Sequence, residues 1–323
     1  MSADPAVARA VEVLLAGGLV GLPTETVYGL ACDASNPEAV RRMFAAKGRP
    51  ADHPVIVHLA HADAVDDWAV DVPQSARQLA RAFWPGPLTV ILKRAPHVLD
   101  AVTGGQDTVG LRVPSHPLAH AVLEAFAAAR PGRPAGVAAP SANKFGRVSP
   151  TTAEHVRREF GAALDVVLDG GASVVGIEST IVDCSGAGVR VLRPGHITRA
   201  AVEAAVGAAA PEPSRPAPRH SGGLESHYAP HTRTRLVDSG DLPSLLANQP
   251  GTRVALLSFA SPPLPVTSHV LAPGAAADYA RALYASLRAL DETGCDLIVV
   301  ERPPQGGDWE GVNDRLRRAA TGA

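Results

Sequence analysis

The chain has 323 residues, which at about 150 residues per domain suggests two domains. Hydrophobic residues make up 46% and charged residues 19%, a composition that allows a large core and excludes a disordered chain. The formal net charge of −2 excludes a global field that would draw the protein to nucleic acid or to anionic membranes.

Helical and extended patterns alternate up to about residue 205. Asp4 and Pro5 begin a first amphipathic helix, and Asn36 and Pro37 begin a second that ends at Gly48. The predicted strands cover residues 19–22, 55–59, 88–92, 108–113, 136–139, 165–169, 179–183 and 189–193. Further helices are predicted near 75–83, 117–129, 152–160 and 198–207.

These alternating elements predict an α/β domain with a sheet of mixed direction, because some connections are as short as a hairpin. Residues 208–223, rich in Pro, Ala, Arg and Gly, predict a linker. A smaller βα pattern follows, with strands at 254–259 and 296–301 and helices at 275–291 and 311–320.

Several common signatures are missing from the sequence: GxxxxGK[ST], GxGxxG after a strand, HExxH and GxSxG. The pairs His116/His120 and His227/His231 have helical i,i+4 spacing, but the sequence offers neither pair a third ligand, so no zinc site is predicted. The cysteines lie far apart, which excludes a disulfide framework and fits a reducing, cytoplasmic setting. No apolar run approaches the ~20 residues that span a bilayer.

Polar residues gather at the ends of the predicted strands. PTETVYGL (23–30) offers hydroxyls beside Glu25, either as a ligand site or as a strand of alternating polarity. KGRP (47–50) places two cations close together, which favours a shared anion such as phosphate or else a solvated helix end. TVGLRV (108–113) puts Arg112 on a polar face, toward solvent or a ligand carboxylate.

Three more segments continue this pattern. APSAN (139–143), which leads to SPT (149–151), can cradle phosphate or simply cap the next helix. GIESTIVD (176–183) and LRPGHIT (192–198) add hydroxyls and Arg193. No nucleophile–base pair is evident, so the residues favour a site that positions phosphates and a small acid without covalent catalysis.

The ordered series of these segments, completed by HYAP (227–230), closely resembles the Sua5/YrdC family of threonylcarbamoyl-AMP synthases. The resemblance implies a YrdC-like twisted mixed sheet with flanking helices in residues 1–207. It also implies a linker or lid in 208–231 and a smaller, Rossmann-like Sua5 C-terminal domain in 232–323. It further implies a reaction of L-threonine, bicarbonate or CO2 and ATP, with Mg²⁺ held by the ATP phosphates and no metal ligand from the protein.

The family's functional positions carry over to this sequence by resemblance. Lys47 and Arg49 match the catalytic cations. The threonine pocket matches Thr26, His58, Arg112, Ala139 and Ser179. The ATP site matches Arg49, His53, Thr108, Ser141, Asn143, Ser149, Arg193 and Tyr228.

The resemblance also implies that a tRNA threonylcarbamoyl transferase consumes the product, and direct tRNA binding or membrane association is not expected. The family usually has asparagine at the position of His53, and HSGGLESHYAP lacks the Pro-Gly-Met that bacterial relatives tend to carry before it. Two alternatives use the same domain: double-stranded RNA binding and carbamoyl transfer of the hydrogenase-maturation kind. The low aromatic content of 4% disfavours the first, and the scattered cysteines disfavour the second.

Overall fold

The computed structural model describes residues 4–207, 216–223, 225 and 227–321. The helices are α1 (Pro5–Leu15), α2 (Pro37–Lys47), α3 (Gln74–Phe83), α4 (Asp100–Thr103), α5 (Pro117–Ala128), α6 (Ala153–Phe160), α7 (Arg199–Val206), α8 (Leu242–Ala247), α9 (Ala276–Asp291) and α10 (Glu310–Thr321). The strands are β1 (Val20–Leu22), β2 (Gly29–Asp33), β3 (Ile56–His58), β4 (Leu88–Lys93), β5 (Thr108–Arg112), β6 (Val137–Ala138), β7 (Val166–Val167), β8 (Thr180–Asp183), β9 (Arg190–Arg193), β10 (Thr234–Val237), β11 (Val254–Ser258), β12 (Ser268–Leu271) and β13 (Leu297–Glu301).

Within these described residues, strands β1 to β9 form one sheet in the order β7-β1-β2-β6-β3-β5-β4-β8-β9. Its direction is mixed, as predicted: β3 pairs with β5 in parallel, while β4 and β5 are antiparallel. The parallel register places His58 beside Arg112. The sheet therefore brings the ends of β3 and β5, which are separate in the sequence, to one place.

The second sheet is parallel throughout, in the order β10-β13-β11-β12. This arrangement confirms the smaller α/β unit that the sequence predicted. Five short elements were not predicted: β2, α4, β10, α8 and β12. Each has too few residues to show a periodicity of its own, and each is fixed by pairing or packing with distant segments.

Helix α2 shows how the local sequence delivers a functional side chain. The Asn36 side chain accepts hydrogen bonds from the backbone N–H groups of Glu38 and Ala39 at 3.0 and 3.2 Å, and Pro37 occupies the first turn. Gly48 ends the helix with φ 62°, a left-handed conformation that glycine adopts without strain. Lys47, the last helical residue, is thereby turned into the interior.

The two units share a hydrophobic core. Val27, Val148 and Ile177 from the first unit pack in one cluster with Tyr284 and Leu316 of the second. The burial of this apolar surface ties the units together, so the second unit lies directly against the polar strand ends. No helix within the described ranges combines the length and apolarity needed to cross a bilayer.

Candidate functional site

A small cavity lies between the strand ends of the large sheet and residues 221–222 and 227–228. Its volume is about 50 Å³, enough for a few water molecules. Three arginine side chains give it a cationic wall. The predicted site residues that line it are Thr26, Arg49, His58, Arg112, Ala139, Ser141, Ser179, Arg193 and Tyr228. The structure therefore gathers threonine-side and nucleotide-side residues around one cavity.

Arg112 sits in a buried polar frame at the end of β5. Its Nη2 donates to Glu25 Oε1 at 2.6 Å, and its Nη1 donates to Thr26 Oγ1 at 2.9 Å. Its Nε donates to the carbonyl oxygen of Gly86 at 3.2 Å. The side chains of Arg112 and Glu25 are only 4% and 5% exposed. The sequence predicted that Arg112 faces solvent or a ligand carboxylate. In the structure it already pairs with a carboxylate of the chain itself, that of Glu25.

Glu25 presents one satisfied and one unsatisfied oxygen. Oε1 accepts from Arg112, whereas Oε2 is buried and accepts no hydrogen bond from any residue the structure describes. A buried carboxylate oxygen without a donor is rare in folded proteins. Beside a guanidinium, it is a position where a ligand N–H or O–H group would gain a strong hydrogen bond.

The other predicted threonine-side residues surround this frame. His58 is buried beside Arg112, and burial, together with the neighbouring guanidinium charge, lowers the pKa of its imidazole to about 3. Its ring is therefore neutral. Ser179 Oγ lies 2.8 Å from Thr89 Oγ1. The small Ala139 packs against Gly29, where an added Cβ would approach the Ala139 methyl group to 3.1 Å.

Lys47 and Arg49 occupy different environments. Lys47 Nζ donates to the carbonyl oxygen of Asn143 at 2.5 Å and to that of Ser141, so two backbone dipoles offset its charge. Burial lowers the pKa of this ammonium well below its ordinary value. Arg49 lines the cavity and donates to the carbonyl oxygen of Pro54 at 2.9 Å. The anion that the KGRP spacing favoured is therefore not needed to hold Lys47 in place.

The remaining predicted nucleotide-side residues are not among those that line this cavity. Asn143 Nδ2 donates to the carbonyl oxygens of Lys144 and Arg147 at 2.7 and 2.9 Å, which shapes the loop after β6. Ser149 Oγ donates to Glu178. Thr108 lines a second, smaller cavity of about 20 Å³. The His53 ring lies against the Phe145 ring, with ring centroids 5.3 Å apart.

Residues 216–223 and 227–228 cover both cavities. Ser221 Oγ donates to the carbonyl oxygen of Pro54 at 2.9 Å, and the Ser221 carbonyl oxygen accepts from Arg193 Nη1 at 2.9 Å. The Arg219 backbone N–H donates to Gln106 Oε1 at 2.7 Å. Tyr228 is 1% exposed. The covering segment is thus attached to the first unit by specific polar contacts.

The sequence did not predict the roles of three residues near the site: Glu178, Tyr284 and Arg315. Glu178 is buried at the cavity wall, and it accepts hydrogen bonds from Tyr284 Oη at 2.9 Å and Arg315 Nε at 2.8 Å. Both donors belong to the second unit. The GIEST segment contains Glu178, but nothing in the sequence links it to α10 or α9.

The structure places the two histidine pairs in surroundings that the sequence did not predict. His120 does have a carboxylate nearby, since its Nε2 lies 3.1 Å from Glu124 Oε1, and His61 Nε2 lies 3.8 Å from the same oxygen. The expectation that no third ligand accompanies His120 is therefore wrong, because Glu124 is one helical turn away and the fold brings in His61. His227 and His231 lie outside any helix, and the His227 ring packs against Tyr228 with centroids 4.1 Å apart.

The buried histidines make stability sensitive to acid. The pKa values of His58 and His227 are both lowered to about 3, mainly by burial, while an unfolded histidine titrates near 6.5. Between these two values the unfolded chain binds more protons than the folded chain, so the free energy of unfolding falls as the pH falls. From pH 7 to pH 5 we expect a loss of about 2 kcal/mol for each histidine.

Urea unfolding at pH 7 and pH 5 measures this effect. The variant His227→Gln should lose less stability between the two pH values than the native chain, by about 2 kcal/mol. The exposed His196 provides the control, since His196→Gln should leave the pH dependence unchanged. An identical pH dependence in His227→Gln and the native chain would contradict the assignment of a neutral, buried His227.

Comparison with known proteins places this fold and site in a family. A family model described as "Telomere recombination" (Sua5_yciO_yrdC) matches residues 12–195. A second, described as "Threonylcarbamoyl-AMP synthase, C-terminal domain" (Sua5_C), matches residues 197–321. Together they define a two-domain protein with a YrdC-type first unit and a Sua5-type second unit.

Individual relatives agree with this assignment. The Threonylcarbamoyl-AMP synthase of Bacillus subtilis is 36% identical over 99% of this chain and 94% of its own length. The one of Pyrococcus abyssi is 35% identical over 94% of this chain and 91% of its own length. The crystal structure of P. abyssi Sua5 complexed with L-threonine superposes with a TM-score of 0.88 at 33% identity, covering 98% of this chain and 94% of that one. The chain belongs to the Sua5/YciO/YrdC family, which confirms the resemblance seen in the sequence.

Proposed function

We propose that this chain is a threonylcarbamoyl-AMP synthase, which makes L-threonylcarbamoyl-AMP and pyrophosphate from L-threonine, bicarbonate or CO2, and ATP. Its product would be passed to a tRNA threonylcarbamoyl transferase that forms N6-threonylcarbamoyladenosine. The observation that carries the proposal is the single cavity in which Arg112, Thr26 and Ser179 face Arg49 and Arg193. One wall suits a small amino acid and the other suits phosphates.

The threonine side follows from the Arg112 frame. A guanidinium has five N–H donors, and described residues use three of those of Arg112, so a ligand carboxylate can take a place at its edge. The unsatisfied Glu25 Oε2 would accept from the amine of the same ligand. Ala139, which has only a methyl side chain, would leave room for the threonine side chain. The carboxylate and the ammonium of a bound zwitterion would thus find their partners, Arg112 and Glu25, in one buried site.

The nucleotide side of the cavity presents arginines, and the nearby carboxylates already accept hydrogen bonds from the chain. Arg49 and Arg193 line the cavity and would stabilise charge on the α-phosphate and the departing pyrophosphate. Both Glu178 oxygens accept hydrogen bonds, and Glu25 is paired with Arg112. Mg²⁺ would therefore enter as the MgATP substrate, held by phosphate oxygens and water. The catalytic role of Lys47 stays a prediction. Its ammonium donates to the carbonyl oxygens of Ser141 and Asn143 and so holds this loop in place.

The proposed chemistry needs no nucleophile from the protein. The bound threonine ammonium first gives one proton to water, and the neutral amine then forms a C–N bond to CO2 and releases a second proton, giving a carbamate. A carbamate oxygen then attacks the α-phosphorus, and the bond from that phosphorus to the bridging oxygen breaks as pyrophosphate leaves with the electron pair. The site contributes by holding the reacting groups in line and by stabilising negative charge.

The division into 1–207, 208–231 and 232–323 also stays a prediction, and the covering residues support a lid role for the middle part. Their contacts with Gln106, Pro54 and Arg193 hold this segment across the cavity. Once closed, it would keep water away from the carbamate and the mixed anhydride.

Pyrophosphate release measured with each substrate omitted in turn tests the function. We expect release only when ATP, threonine and bicarbonate are all present, and product of the corresponding mass in the same samples. Serine should support much less release than threonine. Equal release without any amino acid would remove the basis for the proposal.

Double-stranded RNA binding by this same fold is the competing function. An RNA-binding module requires phosphate contacts, and its affinity should fall steeply with salt. Two of the three cavity arginines, Arg112 and Arg193, are buried and engaged with the chain itself, with exposed fractions of 4% and 2%. We therefore expect no salt-dependent binding of double-stranded RNA at micromolar protein concentration.

A further inference from the structure

Glu178 is a buried carboxylate at the wall of the proposed nucleotide site. Ser149 Oγ donates to one of its oxygens, and Tyr284 Oη and Arg315 Nε donate to the other. Its side chain is 9% exposed. An anion at this position would repel the phosphates that Arg49 and Arg193 are proposed to bind, because charges interact strongly in a low-dielectric interior.

Arg315 of α10 provides the opposite charge. Its side chain is fully buried, and its Nη2 donates to the Glu178 carbonyl oxygen at 3.1 Å while its Nε contacts the carboxylate. Its Nη1 donates to the Pro194 carbonyl oxygen at 2.9 Å and to Asp314 Oδ2 at 3.0 Å. The Arg315 guanidinium thus binds the backbone of two segments of the first unit, at Glu178 and at Pro194.

Arg315 also contacts the covering segment. Its Cζ lies 5.3 Å from the centre of the Tyr228 ring, in a cation–π arrangement. One side chain of α10 therefore touches both the carboxylate at the wall and the aromatic ring that lies over the cavity. An ion pair that only joined the two units would not require the contact with the Tyr228 ring, and buried ion pairs by themselves are weak evidence for stability.

We propose that Arg315 is a positioning residue for the nucleotide site, neutralising Glu178 and holding it against Ser149 so that the cavity presents a cationic face to ATP. This gives the second unit a defined part in the first unit's chemistry. The inference rests on the proposed function, because it names ATP as the ligand. It assigns no contact between Arg315 and the substrate, since Arg315 acts through Glu178 and Tyr228.

Binding of a non-hydrolysable ATP analogue to the full chain, measured by calorimetry, tests the charge. Arg315→Met removes the guanidinium that is hydrogen-bonded to the Glu178 carboxylate and should weaken analogue binding about tenfold or more, while threonine binding changes less than about threefold. Arg315→Lys keeps a cation and should bind the analogue within about threefold of the native chain. Arg317→Met is the matched control, since Arg317 lies on the same helix, bonds the same Asp314 and is 68% exposed. It should bind normally.

The double variant Arg315→Met/Glu178→Gln separates charge from structure, because it removes the anion together with its partner. Analogue affinity should return to within about threefold of the native value, with the melting temperature measured in parallel. A double variant that recovers thermal stability but still binds the analogue tenfold weaker overturns the proposal, as does native affinity in Arg315→Met. If Arg315→Met does not fold, the double variant and Arg315→Lys still decide between these outcomes.

The same measurements distinguish failure of this inference from failure of the proposed function. A native chain that binds the analogue but releases no pyrophosphate with threonine and bicarbonate contradicts the proposed function alone. A native chain that is active, together with an Arg315→Met variant of unchanged analogue affinity, contradicts the Arg315 inference alone.

Discussion

Arg112→Ala is expected to raise the threonine concentration for half-maximal pyrophosphate release by about 30-fold or more. The reason is that a desolvated carboxylate without its guanidinium partner costs about 2–5 kcal/mol, and each 1.4 kcal/mol is about tenfold. The KM for ATP should change much less, because the contacts of Arg112 lie on the Glu25 and Thr26 side of the cavity. Initial rates at varied threonine and at varied ATP measure the two effects.

Loss of Arg112 also leaves Glu25 as an unpaired buried charge, which costs about 3–5 kcal/mol of stability. The variant Arg112→Met/Glu25→Gln removes both charges and should regain stability without regaining threonine affinity. Arg77→Ala, which breaks an exposed ion pair with Asp66, is the control and should leave both KM values unchanged. Native threonine dependence in a folded Arg112→Ala protein would place the carboxylate site elsewhere.

Much of the site wall could be predicted because strands end there. A buried strand must return to solvent or reach a ligand at its end, so hydroxyls and cations at the ends of β3, β5 and β8 stand out against apolar runs. The sheet register then brings His58 beside Arg112, as parallel pairing requires. The helix caps at Asn36 and Gly48 were equally visible, because capping depends on residues close in sequence.

Partners that come from distant parts of the chain could not be predicted. Arg315 lies 137 positions after Glu178, and no local pattern marks a helical arginine as fully buried. Glu25 was visible as a residue, but its pairing with Arg112 depends on the path of the 23–28 loop. The hydrogen-bond acceptors of Lys47 could not be predicted either, because they are backbone carbonyl oxygens, which every residue carries.

The covering segment leads to the second large expected effect, in Gly222→Ala. Gly222 has φ 76°, and a Cβ there would lie 2.2 Å from Tyr228 Oη and 3.0 Å from Arg193 Nη1. The Tyr228 ring is only 1% exposed and has little room to yield, so the segment that carries Gly222 must move away from it. We expect accumulation of threonylcarbamoyl-AMP to fall by roughly tenfold to a hundredfold, because a displacement of about 1 Å at a reacting site can cost about a hundredfold.

Gly306→Ala is the matched control for backbone strain. Gly306 has the same φ of 76°, and no heavy atom of the described chain lies within 4 Å of its added Cβ. Both variants pay a similar conformational cost, whereas only Gly222→Ala forces the segment off Tyr228. Product accumulation and pyrophosphate release should therefore separate in Gly222→Ala, because an open cavity admits water to the carbamate and the mixed anhydride. If Gly222→Ala and Gly306→Ala accumulate product equally, residues 216–223 and 227–228 do not close the site during turnover.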